Sequence, residues 1–198
     1  MAGLDEAGRG CLFGPVFAAA VILSPERPVA GLRDSKQLAA PRREDLAALI
    51  RERAASWAVA QAGPEEIDRI NILQASRLAM KRAVEKLSLP PDYLLVDAIT
   101  VDLPVPQRAL IKGDVRCRSI AAASILAKVA RDARMEEFDR IYPQYGLAIH
   151  KGYPTVKHIR ALEQYGPTPL HRASFAPVRE LIGVRQLRLE FRREAARS

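Results

Sequence analysis

The sequence predicts an α/β protein: strands at its start, alternating strands and helices in its middle, and a helical extension at its end. Three observations predict this. Short apolar runs bounded by turn residues open the chain. Helically spaced apolar residues then alternate with further short runs as far as Tyr145, after which prolines and glycines divide the chain into short helices. The length of 198 residues suits one structural unit. Residues 1–145 form its sheet-bearing part and residues 146–198 a basic helical extension.

Apolar residues at 48% and charged residues at 27% describe a globular chain and exclude disorder, a collagen repeat and a coiled coil. No apolar run reaches the ~18 residues of a membrane-spanning helix. The best candidate, Cys11 to Leu23, is too short, and it follows Asp5 and Glu6 where a signal peptide carries positive charge. No membrane partner is expected. Cys11 and Cys117 are too few for a disulfide scaffold and lack metal-site spacing, so a reducing, cytoplasmic setting is the expectation. Of the net charge of +8, residues 146–198 carry +6, with 10 Lys and Arg against 4 Asp and Glu. That surplus makes a polyanion such as nucleic acid the first partner to consider, against mere solubility.

Met1 to Leu4 reads as a strand ending at Asp5 and Glu6. Gly8, Gly10 and Gly14 punctuate a turn before Pro15 and the strand-length run Val16 to Leu23. Arg42 to Arg53 places Leu46, Leu49 and Ile50 on one helical face, and Ser56 to Ala62 alternates as a third strand. Asn71, three residues before Gln74, reads as the N-cap of a helix carrying Leu73, Met80, Val84 and Leu87, stopped by Pro90 and Pro91. Tyr93 to Val96 and Ala109 to Ile111 are the remaining strands. Ser119 to Ile141 is the longest helix, with Ala122, Ile125, Leu126, Val129 and Ala133 expected to face inward. Thr155 to Tyr165 and Pro177 to Ile182 are short helices, and Gly183 to Ser198 is basic.

Acids stand where these strands stop: Asp5 with Glu6, Asp97 after Leu94 to Val96, and Asp114 after Ile111 to Gly113. If the strand ends converge, their carboxylates repel one another unless cations neutralise them. Oxygen ligands without His or Cys favour Mg²⁺ or Mn²⁺ over zinc. Two such ions ~4 Å apart activate a water and stabilise a leaving oxygen in phosphodiester hydrolysis. The alternative is ordinary strand-end acids, and position alone does not exclude Asp34, Asp102 or Asp132 as members of such a site. In the turn Gly8-Arg9-Gly10, glycines let backbone N–H groups approach a ligand and Arg9 can meet a phosphate. The pattern is not that of a nucleotide-triphosphate loop.

Together these pieces resemble ribonuclease HII, the type 2 ribonuclease H family. The resemblance is carried by GLDEAGRG (Gly3 to Gly10), GPV (Gly14 to Val16), DSKQL (Asp34 to Leu38), INILQASRLAM (Ile70 to Met80) and LLVDA (Leu94 to Ala98). It continues through IKGD (Ile111 to Asp114), SIAAASILAKVARD (Ser119 to Asp132), HKGYPT (His150 to Thr155) and HRASFAPV (His171 to Val178). Cys11 and Phe13 stand where the family often has Pro and Ala, and Ala98 where Gly is common.

The resemblance implies a ribonuclease H-like mixed five-stranded sheet flanked by helices, with Asp5, Glu6, Asp97 and Asp114 as catalytic residues holding two Mg²⁺ or Mn²⁺ ions. It implies hydrolysis of the RNA strand of RNA–DNA hybrids and incision 5′ of single ribonucleotides embedded in duplex DNA, leaving 3′-hydroxyl and 5′-phosphate ends. Gly8, Arg9 and Gly10 would read the ribose 2′-hydroxyl through their backbone, and Tyr153 would stack on the sugar of the following deoxynucleotide. Ser35 and Lys36 would contact phosphates, and His150, Lys151, His171 and Arg172 would line the same groove. Asn71 is explained as a cap and Asp132 as an ion-pair partner of a neighbouring Arg. Ser124 and Lys128 read as packing and solvated surface. The family also implies a monomer. Two other readings are a nucleic-acid-binding protein whose acids merely end strands, and another metal nuclease of the same fold.

Overall fold

The computed structural model describes residues 1–32 and 38–183. Asp34, Ser35, Lys36 and the basic segment 184–198 lie outside the described residues. Five strands form one mixed sheet: β1 (Ala2–Ala7), β2 (Val16–Ile22), β3 (Ser56–Ala62), β4 (Leu94–Asp97) and β5 (Gln107–Leu110), in the order β3-β2-β1-β4-β5. β1 runs antiparallel to β2 and parallel to β4, and β4 is parallel to β5. The helices are α1 (Ala40–Arg53), α2 (Pro64–Glu85), α3 (Gly113–Arg116), α4 (Arg118–Ile141), α5 (Leu147–His150) and α6 (Val156–Tyr165), followed by helical residues 176–183. Among the described residues no helix is long and apolar enough to cross a membrane.

Alternation along β2 divides the core. Ala18 and Ala20 face α2, where they meet Leu4, Ala79 and Met80. Ala19 and Val21 face α1 and α4, where they meet Leu46, Ile50, Ile125 and Leu126. Each fully buried Leu or Ile contributes about 1.5–3 kcal/mol. A third cluster, with Leu12, Phe13, Met135, Tyr145, Leu162 and Val178, ties the loop after β1 to the C-terminal helices.

Several elements depart from the sequence-based expectation. The helix expected from Asn71 starts at Pro64 and bends at Asn71, which has φ 66°. Asn71 still caps the helical turns beyond it, its Oδ1 accepting the N–H groups of Leu73 at 3.0 Å and Gln74 at 3.1 Å. The extra first turns arise from Pro64 at the helix start and from Glu66, whose carboxylate accepts the Gly63 N–H at 2.9 Å and pairs with Arg82 at 2.7 Å. The fifth strand lies slightly earlier than expected, at Gln107–Leu110, because the chain leaves β4 at Ile111, which is exposed in the turn before α3. Ala133 is exposed, lining a surface cleft with Phe17 of β2 and Val59 to Gln61 of β3, while Met135 turns to the third cluster.

The tightest approach of sheet and helix is at Gly3 on β1. A Cβ there would lie 2.2 Å from the Ser119 carbonyl carbon and 2.3 Å from the Ile120 nitrogen, so the start of α4 rests on bare backbone. Gly3→Ala is therefore expected to lower the free energy of unfolding by about 3 kcal/mol, the upper part of the usual overpacking range. Urea titration checks this; an unchanged midpoint contradicts it.

Candidate active site

Strand register brings the acids together. β1 and β4 pair Ala2 with Leu94, Gly3 with Leu95 and Leu4 with Val96. Continued by one residue, that register sets Asp5 beside Asp97. β5 pairs Leu110 with Asp97, and the chain then turns through Lys112, in the left-handed region at φ 54°, into α3. The Gly113 N–H donates to Asp97 Oδ1 at 2.7 Å, so Asp114, the next residue, starts from a backbone tied to Asp97. Asp114 is itself buried. Glu6 follows Asp5, donating its N–H to Asp5 Oδ1 at 2.7 Å.

Asp5 bears the electrostatic consequence. Burial, then the neighbouring Glu6 and Asp97 carboxylates, push its carboxyl up to about 8, with the Ser124 hydroxyl opposing them in part. Its Oδ2 is buried with no hydrogen-bond partner. A buried acid with an unsatisfied oxygen, beside two further acids, fits a hard divalent cation, which would supply the missing partner and offset the repulsion. Among the described residues, no three Asp, Glu, His or Cys side chains stand close enough to hold one ion as they are. The site brings both Glu6 and Asp97 into range of Asp5, with Asp114 following Gly113, whose N–H is tied to Asp97.

Beside the acids opens a cleft of about 340 Å³ lined by Glu6, Gly8, Arg9, Gly10, Arg43, Ser124, Lys128 and Tyr153 among others. Arg9 crosses its mouth to Glu6 at 3.2 Å. Ser124 and Lys128 lie one α4 turn apart and face the cleft rather than serving as packing and open surface; Lys128 pairs with Asp132 at 2.8 Å. Arg43 also approaches Asp132, at 3.6 Å, so the expected ion pair of Asp132 forms with both. The spacing 124, 128, 132 was the available sequence signal for this polar stripe, and Arg43 had none. Tyr153 is 42% exposed over the cleft, with the Arg131 guanidinium carbon 6.0 Å from its ring centre.

The remaining expected groove residues have different surroundings. His171 and Arg172 are 3% and 0% exposed, and His150 is buried too. Lys151 pairs with Glu136 at 2.7 Å. The Arg172 guanidinium donates inward to carbonyls of Gly8, Arg9 and Gly14 at 2.8–2.9 Å. Burial pulls it down to about 10, which leaves it charged at neutral pH. These residues stand behind the cleft wall because the HKGYPT and HRASF segments pack on the third core cluster, through the Phe13–His171 bridge and ring contact. Arg131, which lies within the SIAAASILAKVARD motif but carries no expected role there, is also fully buried and donates to the carbonyls of Lys151 and Phe13.

The chain's three histidines form one buried group. His158 Nδ1 lies 3.0 Å from the Tyr153 carbonyl and must donate to it, so Nε2 accepts from His171 Nε2 at 3.3 Å. His171 Nδ1 then accepts the Thr168 N–H at 2.9 Å. The His158 and His171 rings are neutral with both nitrogens occupied. His150 stacks on His158, with ring centres 4.5 Å apart.

The family-model comparison matches Ribonuclease HII over residues 2–178. The chain belongs to the ribonuclease HII family. The ribonuclease HII of Solibacter usitatus is 65% identical over 179 residues, 90% of this chain and 78% of that protein. That of Laribacter hongkongensis is 58% identical over 192 residues, 96% and 97% of the two chains. Among solved structures, ribonuclease H2 from Pyrococcus horikoshii superposes with a TM-score of 0.75 at 27% identity, covering 91% of this chain and 95% of that one. The ribonuclease HII of Archaeoglobus fulgidus, solved in complex with PCNA, gives 0.74 at 28% identity over 86% and 91%. As a ribonuclease HII, the protein is an endoribonuclease of RNA–DNA hybrids, and nucleic acid is its partner.

The histidine group makes stability depend on pH. Burial holds His158 down at about 4 and His171 at about 3, against 6.5 when exposed. Between those values and 6.5 the unfolded chain binds more protons, so stability is complete above pH 6.5 and lost as pH falls below it. The melting temperature is expected to fall between pH 7 and pH 5, with a shallower fall in His171→Gln. Equal slopes for both proteins would contradict the assignment.

Proposed function

We propose that the cleft cuts a phosphodiester 5′ of a ribonucleotide, including a single one embedded in duplex DNA, and leaves 3′-hydroxyl and 5′-phosphate ends. The observation that carries this reading is the approach of Asp5 to both Glu6 and Asp97, with Glu6 lining a cleft that the Gly8–Gly10 turn and Tyr153 also line. Two Mg²⁺ or Mn²⁺ ions, held by Asp5, Glu6, Asp97 and Asp114, supply when bound an activated water and a stabilised leaving oxygen.

The chain's own residues do the rest. Arg9, Arg43 and Lys128 offer positive charge to the phosphate backbone entering an otherwise acidic site. Backbone N–H groups of the Gly8–Gly10 turn meet the 2′-hydroxyl, which distinguishes RNA from DNA at one position. A Cβ at Gly10 would meet nothing within 4 Å, so a bare backbone there serves approach from outside rather than internal packing. Tyr153 stacks on the sugar of the next deoxynucleotide and places a junction over the acids. Ser35 and Lys36 are assigned to phosphates from sequence, and His150, Lys151, His171 and Arg172 support the wall from behind. The segment after Tyr145 thereby belongs to substrate binding.

A labelled DNA duplex with one ribonucleotide, incubated with Mg²⁺, Mn²⁺ or EDTA, tests the reading. The expected result is a metal-dependent cut immediately 5′ of the ribonucleotide; cutting in EDTA, or at all-DNA positions, overturns it. Asp97→Asn keeps an acceptor for the Gly113 N–H and Asp114→Asn keeps the side-chain shape, so both are expected to fold. Each should retain less than about a tenth of the rate, since a lost ligand costs more than ~1.4 kcal/mol. Tyr153→Ala is expected to lose more activity on a single embedded ribonucleotide than on a long hybrid; equal losses remove its junction-reading role.

A further inference from the structure

The Gly8–Gly10 turn is irregular backbone and needs something to hold its peptide planes. Arg172 reaches it from the opposite end of the chain. Its Nη2 donates to the Gly8 carbonyl and its Nη1 to the Arg9 carbonyl, both at 2.8 Å, while Nε holds the Gly14 carbonyl at 2.9 Å. The guanidinium is 0% exposed, so no solvent competes for these bonds. Each peptide of the turn is trans, and in a trans peptide the C=O and the following N–H point in opposite directions. A fork that draws the Gly8 and Arg9 carbonyls inward therefore turns the Arg9 and Gly10 N–H groups outward, into the cleft. Among the described residues neither N–H meets a backbone acceptor.

Three further contacts make the fork a fixed frame. The Arg172 N–H donates to the Leu12 carbonyl at 2.8 Å. Asp68 on α2 accepts the N–H groups of Ala173 at 2.9 Å and Ser174 at 2.8 Å, which anchors the chain just after Arg172. Beneath Gly8, whose φ of 94° suits glycine, the Arg131 side chain fills the space a Cβ would need, with its Nε 1.9 Å from that position. Arg131 also holds the Lys151 carbonyl at 2.8 Å, two residues from Tyr153.

We propose that Arg172 is a positioning residue for ribose recognition: it grips the Gly8 and Arg9 carbonyls so that the Arg9 and Gly10 N–H groups are aimed at the 2′-hydroxyl before substrate arrives. This rests on the reading of the turn as the 2′-hydroxyl sensor. Lysine retains the charge but not the planar fork that spans two carbonyls.

The test compares Arg172→Lys with the unaltered enzyme. Dissociation constants are measured in EDTA for two duplexes of one sequence, one all-DNA and one with a single ribonucleotide. Their ratio is independent of any unfolded fraction, which scales both constants equally. The unaltered enzyme is expected to prefer the ribonucleotide duplex, and Arg172→Lys to lose about tenfold in that ratio, ~1.4 kcal/mol, with the all-DNA constant nearly unchanged. A retained ratio overturns the proposal, as does an equal weakening on both duplexes, the sign of a general structural role. Absence of any preference in the unaltered enzyme overturns instead the reading of the turn on which the proposal rests. If Arg172→Lys does not fold, NMR of the unaltered enzyme decides. Slowly exchanging Arg172 Hη protons with contacts to Gly8 and Arg9, and Arg9 and Gly10 amide shifts on the ribonucleotide duplex alone, support the proposal; their absence overturns it.

Discussion

The parallel pairing of β1 with β4 is the contact on which the rest depends. It exists because the sheet closes around β1, with β2 on its other edge and α4 seated directly on Gly3. Its register sets Asp5 beside Asp97 and delivers the turn into α3 next to both. An acid placed there is desolvated and repelled, and Asp5 carries that cost as a carboxyl pushed up to about 8. The surrounding apolar core holds the arrangement regardless, which is how a fold maintains a site that opposes its own stability.

The second wall of the cleft is built on a different principle. An irregular loop cannot satisfy its carbonyls within a ladder, and the loop from Gly8 to Gly14 is closed over an interior that excludes water. Two buried guanidinium groups supply the donors: Arg172 for Gly8, Arg9 and Gly14, and Arg131 for Phe13 and Lys151. The histidine group extends the network from the Tyr153 carbonyl to Thr168. Glu6 on one side and buried cations behind the other give the cleft an acidic and a positively supported wall.

Described residues after Tyr145 pack against the loop that follows β1. The Phe13–His171 bridge, the Leu12 and Gly152 backbone bond at 2.8 Å, and the third core cluster bind them to it. Among the described residues their contribution to the cleft is the Tyr153 ring, on a loop fixed from below.

Sequence alone determined the α/β class, the strands and long helices, and the strand-end acids, because apolar periodicity and turn residues are local properties. The Asn71 cap was equally local. The motifs carried the family, and with it the ligands expected at Asp5, Glu6, Asp97 and Asp114. Tertiary structure alone decided which polar residues face the cleft. His150, His171 and Arg172 look like groove residues in a basic segment, yet their polar atoms are used on carbonyls and neighbouring rings in the interior. Arg131 sits in a motif on α4, yet nothing in the local pattern marks it as buried, since its partners Phe13 and Lys151 come from elsewhere along the chain. A side chain's partners at long sequence separation are set by packing, and packing is not written in the local pattern of residues.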